Sequence, residues 1–419
     1  MNRIVIQYLL SLFFVLMMII PTAYQEVRGI FLGVLFCGSL VFVKFKELTI
    51  HRDVLILFII NILTSFFFFL LGFINEGPGA IRTTTVYLFW PILYLYFILV
   101  GRSDLFIKKI NSIIILGGIV SSILIMLFIY SSYFSFPINI DSFKENLDFK
   151  SNFLYDGFSQ VHSANLTSVF YVVPFILTLL MLPSKYILHI NKSALLIAFI
   201  TCLFLVILSG RRAFWVVLIL SPLIVYVYFI LVGIKFNYKF LLLVASIFIL
   251  AIITYSIFTF NLDVAKSQFS GLFEFDDPNA GVGGSNYTRK IQYLELIASW
   301  KESPIFGKGF GTVAGTNIRD ENQTWAYELS YIALLFHTGI IGIIIYTSSV
   351  FWILISSIKI MKKVLESIIV LLPLNIGLIC FLLINASNPY LEKFDFLWVL
   401  FLPVYAINYF KTRKVELNA

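Results

Sequence analysis

The chain has 419 residues, of which 60% are hydrophobic and only 12% are charged. A soluble domain carries about 25% charged residues, so this composition excludes a water-soluble globular protein and predicts an integral membrane protein. The net charge of +8 does not indicate nucleic-acid binding, because the basic residues are spread over short loops instead of forming one patch.

Long apolar stretches follow one another along the chain. An α-helix needs about 20 apolar residues to cross a hydrocarbon layer of roughly 30 Å. The first stretch is too long for the core of a signal peptide and lacks a cleavage site, so we expect it to remain as a span. Apolar runs between charges predict an all-α membrane protein of about twelve spans: 4–24, 29–43, 54–74, 83–100, 110–134, 164–182, 193–209, 213–232, 239–260, 326–356, 367–386 and 396–410.

The basic residues predict the orientation of these spans. Lys and Arg are concentrated in alternate short loops, for example near 44–52, 102–109, 185–192 and 359–363. These loops all lie on one side of the membrane if successive spans alternate in direction. Because short cytoplasmic loops carry an excess of Lys and Arg, that side and both chain termini are predicted to be cytoplasmic.

Two of the loops predicted to lie outside are long, one near 135–163 and the other at 261–325. Loops of this length are usually functional or disordered, and the polar composition of the second predicts a folded extracytoplasmic segment. The predicted organisation is therefore nine spans in 1–260, a large periplasmic loop at 261–325, and three spans with a cytoplasmic C terminus in 326–419.

The predicted spans contain few residues that could catalyse a reaction or bind an ion. They contain almost no ionisable residue near mid-membrane and show no internal repeat, which argues against an ion-coupled transporter. Cys37, Cys202 and Cys380 lie in apolar segments, so they are interpreted as packing residues and not as a disulfide framework or a metal cluster. We therefore expect neither a metal nor another cofactor.

The first candidate motif is a pair of arginines, Arg211 and Arg212, in a very short connection predicted to lie outside between two spans. One interpretation is that both side chains reach lipid phosphates at the membrane surface. The other is that they bind a phosphate-bearing lipid substrate, because a planar guanidinium matches phosphate geometry and stays charged.

The second candidate motif lies in the large outside loop. The sequence predicts an amphipathic helix at about 286–302, with Leu294, Ile297 and Ala298 on one side, lying along the membrane surface. A compact turn with alternate glycines at 307, 309 and 311 follows it. These glycines are not a dinucleotide-binding fingerprint, because the strand and βαβ unit that such a fingerprint requires are not predicted here.

Several polar and aromatic residues are weaker candidates. His162 and Asn165 are three residues apart at the outer start of the sixth span, which predicts that they share a helix face near the loop. They are interpreted either as substrate-binding residues or as capping residues. Trp325 and Tyr331 belong to an aromatic group near the outer interface, and they either form a membrane belt or stack on sugar rings. His337 is predicted to be a hydrogen-bonded packing residue.

Together these stretches resemble the superfamily of bacterial O-antigen polymerases and O-antigen ligases. That family has ten to fourteen spans, a Ser-Gly-x-Arg element between two central spans, and a large periplasmic loop with conserved arginine and glycine patterns. The resemblance covers residues 205–345 in detail. The counterparts in this chain are Arg212, Arg289, the stretch Ser303-Pro304-Ile305-Phe306-Gly307-Lys308-Gly309, the segment 328–332 and the stretch Gly339-Ile340-Ile341-Gly342.

The resemblance implies transfer of an oligosaccharide from an undecaprenyl diphosphate carrier at the periplasmic face of the bacterial inner membrane. In this reading Arg211, Arg212 and Arg289 bind the diphosphate, and Glu328 orients or deprotonates the acceptor hydroxyl. The expected partners are the lipid-linked oligosaccharide and the bilayer, and the resemblance also allows a chain-length regulator and a flippase of the same pathway. Arginines would take the charge-stabilising role that a metal has elsewhere.

The resemblance favours a polymerase of lipid-linked repeat units of a surface polysaccharide, an O-antigen or a capsule, over three other functions. Ligases of this family carry His-Asn before the Tyr-Leu that opens the later span, whereas this chain has Glu328, which favours the polymerase branch. The ligase, with the same donor and a different acceptor, is the closest alternative. A lipid-linked oligosaccharide flippase would be expected to have two similar halves and a charged central cavity. A non-catalytic scaffold would leave the paired arginines and the loop pattern unexplained.

Overall fold

The structure is a computed structural model that describes residues 2–42, 48–101, 104–134, 140–155, 158–187, 191–209, 211–235, 285–315 and 323–418. The predicted ninth span, 239–260, lies outside the described residues, as do 261–284 and 316–322 of the predicted periplasmic loop. The helices are α1 (Asn2–Ile19), α2 (Gln25–Phe42), α3 (Arg52–Ile74), α4 (Ala80–Thr84), α5 (Trp90–Val100), α6 (Asp104–Tyr133), α7 (Asp141–Asn146), α8 (Leu166–Met181), α9 (Lys192–Leu208), α10 (Arg212–Val232), α11 (Ser285–Lys301), α12 (Ser330–Met361), α13 (Ile368–Asn385) and α14 (Trp398–Asn418).

The described residues form an α-helical protein of membrane-spanning character. Five helical segments in this part of the chain are long and apolar enough to cross a membrane: Arg52–Ile74, Ala80–Val100, Asp104–Ser132, Ser330–Met361 and Leu365–Asn385. Shorter apolar helices occur at Ile4–Ile19, Leu166–Met181, Lys192–Leu208 and Val216–Val232. The predicted fold class is thus confirmed as an α-helical membrane protein, while the number of spans stays a prediction.

The segment Ala80–Val100 is one span interrupted by a wider turn. A π-helical turn, Thr85–Phe89, joins α4 to α5, and the Trp90 N–H donates to the Thr85 carbonyl. Pro91 follows at once and has no N–H to continue the regular ladder. The insertion of a π turn next to a proline accounts for this irregularity.

The helix α8 lies at the centre of the bundle. Every residue from Leu166 to Met181 is buried, as expected for a helix that is apolar on all sides. It packs against α13, α9, α6 and α10. Against α13, the ring of Tyr171 fills the space above Gly377 and its hydroxyl donates to the Leu374 carbonyl over 3.1 Å.

Polar contacts at one end of the bundle join residues predicted to lie in the cytoplasm. Lys411 at the end of α14 pairs with Asp53 at the start of α3, and Tyr409 donates to Asp104. Residues predicted to lie outside meet at the other end, where the Asn75 amide donates to the Lys308 carbonyl over 2.8 Å. These contacts agree with the predicted alternation of spans, although the orientation itself stays a prediction.

The outside loop near 135–163 contains a small hairpin that was not predicted. Strand β1 (Lys150–Tyr155) pairs with strand β2 (Phe158–His162) in an antiparallel two-stranded sheet. The short helix α7 precedes the hairpin, and the Ala164 N–H donates to the Leu147 carbonyl over 2.9 Å, which ties the loop to the start of α8. The hairpin is a local addition to an otherwise helical fold in the described part of the chain.

The helix α12 is broken near its N-terminal end. Gly339 has φ 59° and ψ −167°, a conformation that only glycine adopts readily. The break frees backbone groups that have no partner within the helix, and inside a membrane such groups must be satisfied by protein. The glycine-rich segment 303–311 provides those partners.

Four backbone hydrogen bonds join the two segments. The Lys308 and Gly309 N–H groups donate to the carbonyls of residues 336 and 337 over 3.0 and 2.8 Å, and the N–H groups of residues 340 and 341 donate to the carbonyls of Pro304 and Ile305 over 3.0 and 3.2 Å. The predicted compact turn is confirmed, since the three glycines at 307, 309 and 311 have φ between 68° and 89°. The prediction for His337 is also confirmed, because it is buried and its Nδ1 lies 3.0 Å from the Gly309 carbonyl oxygen.

Candidate functional site

The candidate site centres on an ion pair between Arg289 and Glu328. Arg289 lies in the first turns of α11, and Glu328 lies in the short segment that leads into α12. Arg289 Nε is 2.6 Å from Glu328 Oε2, and the two side chains are 26% and 18% exposed. Both charges therefore stay within reach of a ligand while each holds the other in place.

The helix α11 positions this pair. The Glu328 N–H donates to the side-chain oxygen of Gln292 over 3.2 Å, and Gln292 lies one turn beyond Arg289 on the same helix. Leu296, one turn further, is fully buried in a small apolar cluster with Tyr327 and Phe336. The buried face of α11 is thus formed by residues 289, 292 and 296, while Leu294 is 56% exposed on the opposite side. A helix is confirmed at the predicted position. The contact of its predicted apolar side with the membrane surface stays a prediction.

Tyr327 adds a neutral hydroxyl next to Glu328. It accepts a hydrogen bond from the Ala314 N–H over 2.6 Å. Burial, with a smaller contribution from the carboxylates of Glu295 and Glu392, raises the pKa of Tyr327 to about 12, while the Ala314 bond acts in the opposite direction. The hydroxyl therefore remains protonated at neutral pH and serves as an anchor for the segment that carries Glu328.

The turn at the C-terminal end of α13 contacts both the Glu328 segment and Arg211, which lies in the short connection between α9 and α10. Ser330 Oγ donates to the Asn385 carbonyl over 2.8 Å, two residues after Glu328. Three residues further along the turn, Asn388 Oδ1 accepts from Arg211 Nη1 over 2.8 Å. The turn at 385–388 thus has Arg211 on one side and the Glu328 segment on the other, which places at one end of the bundle groups that are far apart in sequence.

His162 lies near Arg211, but it does not lie on a helix. His162 ends strand β2, whereas Asn165 is the N-cap of α8, so the prediction that they share a helix face is wrong. The reason is that the chain turns between the strand and the helix. His162 Nδ1 is 3.1 Å from the Asp148 carbonyl oxygen, and Asn165 is fully buried and accepts from Ser163 Oγ over 2.6 Å. Asn165 is therefore a structural residue.

The pKa of His162 is lowered from its ordinary value. Burial is the main cause, and the positive charge of Arg211 acts in the same direction. A hydrogen bond and the charge of Asp148 oppose these effects, while Lys393 adds to them. Arg211 thus lies close enough to His162 to disfavour the charged form of the imidazole.

The remaining predicted residues have different positions. Arg212 is the first residue of α10, and its side chain lies outside what the structure describes. Trp325 packs on Gly79, where a Cβ would overlap the indole ring, so it is a packing residue at the start of α4. Tyr331 donates to the Leu382 carbonyl over 2.6 Å and is 37% exposed, which leaves its ring accessible.

Sequence reasoning missed a buried ion pair at the same end of the bundle. Arg28 at the start of α2 pairs with Asp395, and both side chains are almost fully buried. The guanidiniums of Arg28 and Arg82 lie 5.5 and 5.9 Å from the ring centroid of Phe394, which also stacks on Trp90. A charge at the outer end of a span was the available signal, but the two partners of the ion pair are 367 residues apart.

A long apolar cavity of about 450 Å³ begins at the N-terminal end of α12, beside Ser330 and Tyr331. Ser330, Tyr331, Asn385 and Glu392 supply polar atoms near the end of the bundle that holds Glu328. From there the cavity follows α12 to Ile353, most of the length of that helix. Its other walls are largely apolar side chains of α3, α5, α13 and α14, among them Leu57, Phe58, Pro91, Leu382, Leu400 and Val404.

No protein-family model matches this chain, and neither does any curated protein. Among the described residues, no group of three or more His, Cys, Asp or Glu side chains is arranged to hold a metal ion. The resemblance to O-antigen polymerases and ligases stays a prediction from the motifs. The function must therefore be argued from the site itself.

Proposed function

We propose that this chain is a membrane enzyme that polymerises oligosaccharide repeat units carried on undecaprenyl diphosphate. It would act at the outer face of the bacterial inner membrane and build a surface polysaccharide, an O-antigen or a capsule. The observation that carries the proposal is that the Arg289–Glu328 pair and Arg211 are joined, through Ser330 and the 385–388 turn, to the polar end of a long apolar cavity that Ser330 and Asn385 line. A lipid diphosphate has the same division into an anionic head and an apolar tail.

The arginines supply the head-group site. Arg211 contacts Asn388 of the 385–388 turn, and Arg289 pairs with Glu328, whose segment contacts the same turn through Ser330. Each arginine carries a rigid fork of N–H donors suited to phosphate oxygens. Arg211 is held by a neutral amide and Arg289 by Glu328, so both can be oriented before a substrate arrives. Arg212 is included in the proposal as the neighbour of Arg211 in the sequence.

The cavity supplies the place for the isoprenoid tail. It offers an apolar path from Ser330 into the bundle, bounded by two helices with membrane-spanning length, α3 and α12. Burial of apolar chain surface contributes roughly 25 cal/mol for each Å², which allows the tail to anchor a substrate whose sugars remain in water.

The proposed reaction joins two lipid-linked chains. A sugar hydroxyl of one chain attacks the anomeric carbon of the other, and a new C–O bond forms as the bond from that carbon to the diphosphate oxygen breaks. The lipid diphosphate leaves with the electron pair, and the hydroxyl proton passes to the carboxylate of Glu328. The arginines stabilise the negative charge that develops on the diphosphate.

The ion pair connects binding with proton transfer. In the structure Glu328 is paired with Arg289. When the diphosphate takes Arg289 as its partner, Glu328 is released from this ion pair. Its carboxylate oxygen can then accept a hydrogen bond from the sugar hydroxyl that attacks.

The proposal is tested by deletion and complementation in the organism that carries the chain. Loss of the protein should leave single repeat units on the outward-facing lipid carrier and remove long polysaccharide, and the wild-type chain should restore it. Mass spectrometry of extracted lipid-linked oligosaccharides, with and without enzymatic digestion from outside intact cells, measures both results.

The same measurement separates the alternatives. Long chains that accumulate on the lipid carrier would identify a ligase, and single units protected from external digestion would identify a flippase. Either result would overturn the polymerase proposal.

A further inference from the structure

A second cleft lies at the opposite end of the bundle, far from Glu328. It has a volume of about 610 Å³ and lies between the ends of α3, α12 and α14. The residues of α12 that line it recur at intervals of three and four from Ser348 to Lys359, so they form one face of the helix. Lys363 continues this face just beyond the helix end.

The mouth of this cleft is basic. Lys359, Lys363 and Lys411 line it, and among the described residues Asp53 is the one acidic side chain of the lining. Asp53 is paired with Lys411, whose ammonium group lies 5.2 Å from the ring centroid of Trp352. The cleft thus retains an excess of positive charge.

The apolar part of the cleft is exposed at the surface of the bundle. Phe351 and Ile355 line it and are 57% and 50% exposed, and Trp352 lies between them in sequence. The lining from Ser348 to Lys359 extends about 16 Å along the helix, which is roughly the thickness of one leaflet of the hydrocarbon layer. The lysines therefore lie at the depth of the head groups when Ser348 lies near the membrane centre.

We infer that this cleft is a binding site for an anionic glycerophospholipid of the bilayer. The phosphate would lie among the three lysines, and one acyl chain would lie along Phe351 and Ile355. Basic pockets between membrane-spanning helices bind anionic head groups in this way, and each lysine near the surface contributes about 1 kcal/mol. The predicted orientation places the lipid in the cytoplasmic leaflet. The site does not depend on the proposed polymerase activity.

The test uses the purified full chain in nanodiscs that contain phosphatidylglycerol and phosphatidylcholine with identical acyl chains. Native mass spectrometry then measures which lipid stays bound after the disc is removed. The wild-type chain should retain phosphatidylglycerol preferentially. The double variant Lys359→Gln/Lys363→Gln should lower its apparent affinity on the order of twentyfold, about fivefold for each lysine.

Two variants control this measurement. Lys362→Gln removes an exposed lysine of the same turn that does not line the cleft, so it should leave the preference unchanged. Lys359→Arg/Lys363→Arg keeps both charges and should keep the preference, which shows that a loss in the Gln variant is due to charge and not to misfolding. Equal loss in Lys362→Gln, or no loss in the double Gln variant, would overturn the inference.

The source of the phosphate is tested with soluble compounds. Inorganic phosphate or glycerol phosphate, added to the protein in detergent, should not raise its melting temperature, whereas long-chain phosphatidylglycerol should. Equal stabilisation by the soluble anions would show that the lysines bind a free anion and that the apolar part of the cleft has no role.

Discussion

The glycine segment 303–311 and the charged site at Glu328 lie close together in the chain but are held in different ways. The first is fixed by backbone hydrogen bonds to the broken helix α12 and by glycines that no other residue can replace. The second is held by side chains that are partly exposed, chiefly the pair of Arg289 and Glu328. Backbone interlocking gives a rigid support, whereas exposed side-chain pairs can exchange partners. We therefore expect the first region to determine stability, whereas the second is the proposed site of chemistry.

The largest effect should follow a change in the glycine region. In Gly339→Ala the new methyl group would overlap the backbone of Ile305, and the conformation itself is unfavourable for alanine. Strain of this kind costs about 1–3 kcal/mol before the overlap is counted, so we expect little folded protein in the membrane. Size-exclusion chromatography of a fluorescent fusion measures this.

The control for this variant is Gly33→Ala in α2, where a Cβ meets open space. That variant should fold as well as the wild type. If Gly339→Ala gave a normal amount of monodisperse protein, the helix break would not be the rigid support described here.

The next effect concerns activity and not folding. Arg289→Ala removes a cation from the proposed diphosphate site, and losing one charged hydrogen bond to a developing charge costs about 3 kcal/mol, on the order of a hundredfold in rate. The pair it forms with Glu328 is partly exposed, so the effect on the free energy of unfolding should be about 1 kcal/mol or less. Polysaccharide chain length and the membrane level of the protein measure the two quantities separately.

Two further variants sharpen this prediction. Arg289→Lys should recover only part of the activity, because an ammonium group lacks the planar fork of donors. Lys301→Ala, at the other end of α11, should leave activity near that of the wild type, since Lys301 is exposed and distant along the helix. Equal losses in Arg289→Ala and Lys301→Ala would indicate a general effect of charge.

A smaller loss should follow changes on the other side of the 385–388 turn. Arg211→Ala removes a cation, and Asn388→Ala removes the acceptor that orients it. A hydrogen bond to a charged group contributes about 1.5–3 kcal/mol. The lower end of this range corresponds to about tenfold, which is the loss we expect in each variant. The double variant should be hardly worse than Arg211→Ala, because both changes remove the same contact. Additive losses would contradict the assigned contact.

The smallest effect is a change in the titration of His162. Arg211→Gln removes a positive charge that lowers its pKa, so the pKa should rise towards the ordinary value, while Asp148→Asn should lower it further. NMR titration of the imidazole signals measures both. The pKa of His162 in the folded protein is below the unfolded value of about 6.5. Above the unfolded value, the neutral imidazole therefore makes its full contribution to the free energy of unfolding. That contribution is lost as the pH falls from the unfolded pKa through the folded pKa. Arg211→Gln should reduce that loss.

The part of the architecture that the sequence could predict is the part that depends on local composition. Apolar runs bounded by charges predicted a helix within each described span, and alternate glycines predicted the turn at 307–311. The amphipathic helix α11 also followed from its pattern. These features depend on neighbours within a few residues, so one sequence contains the necessary information.

The features that were missed depend on contacts between distant residues. The break at Gly339 is stable only because the segment 303–311 satisfies its backbone groups, and nothing in the local pattern of α12 predicts that partner. His162 and Asn165 are three residues apart, a spacing typical of one helix face, yet His162 belongs to a strand. Similarly, each partner of the pair Arg28–Asp395 looks like an ordinary charge at a helix end. For the candidate site, Arg289 and Glu328 were predicted as functional residues, but their direct contact was not.

The most direct test of the proposed chemistry is the chain length of the polysaccharide made by Glu328→Gln at a protein level matched to the wild type. Gln preserves the shape of the side chain and removes the charge that accepts the proton. The control is Glu302→Gln, which changes an exposed carboxylate that pairs with Lys308 in the same region. The account predicts single repeat units on the lipid carrier for Glu328→Gln and full-length chains for Glu302→Gln. Full-length chains from Glu328→Gln would show that the carboxylate is structural and would contradict the proposed mechanism.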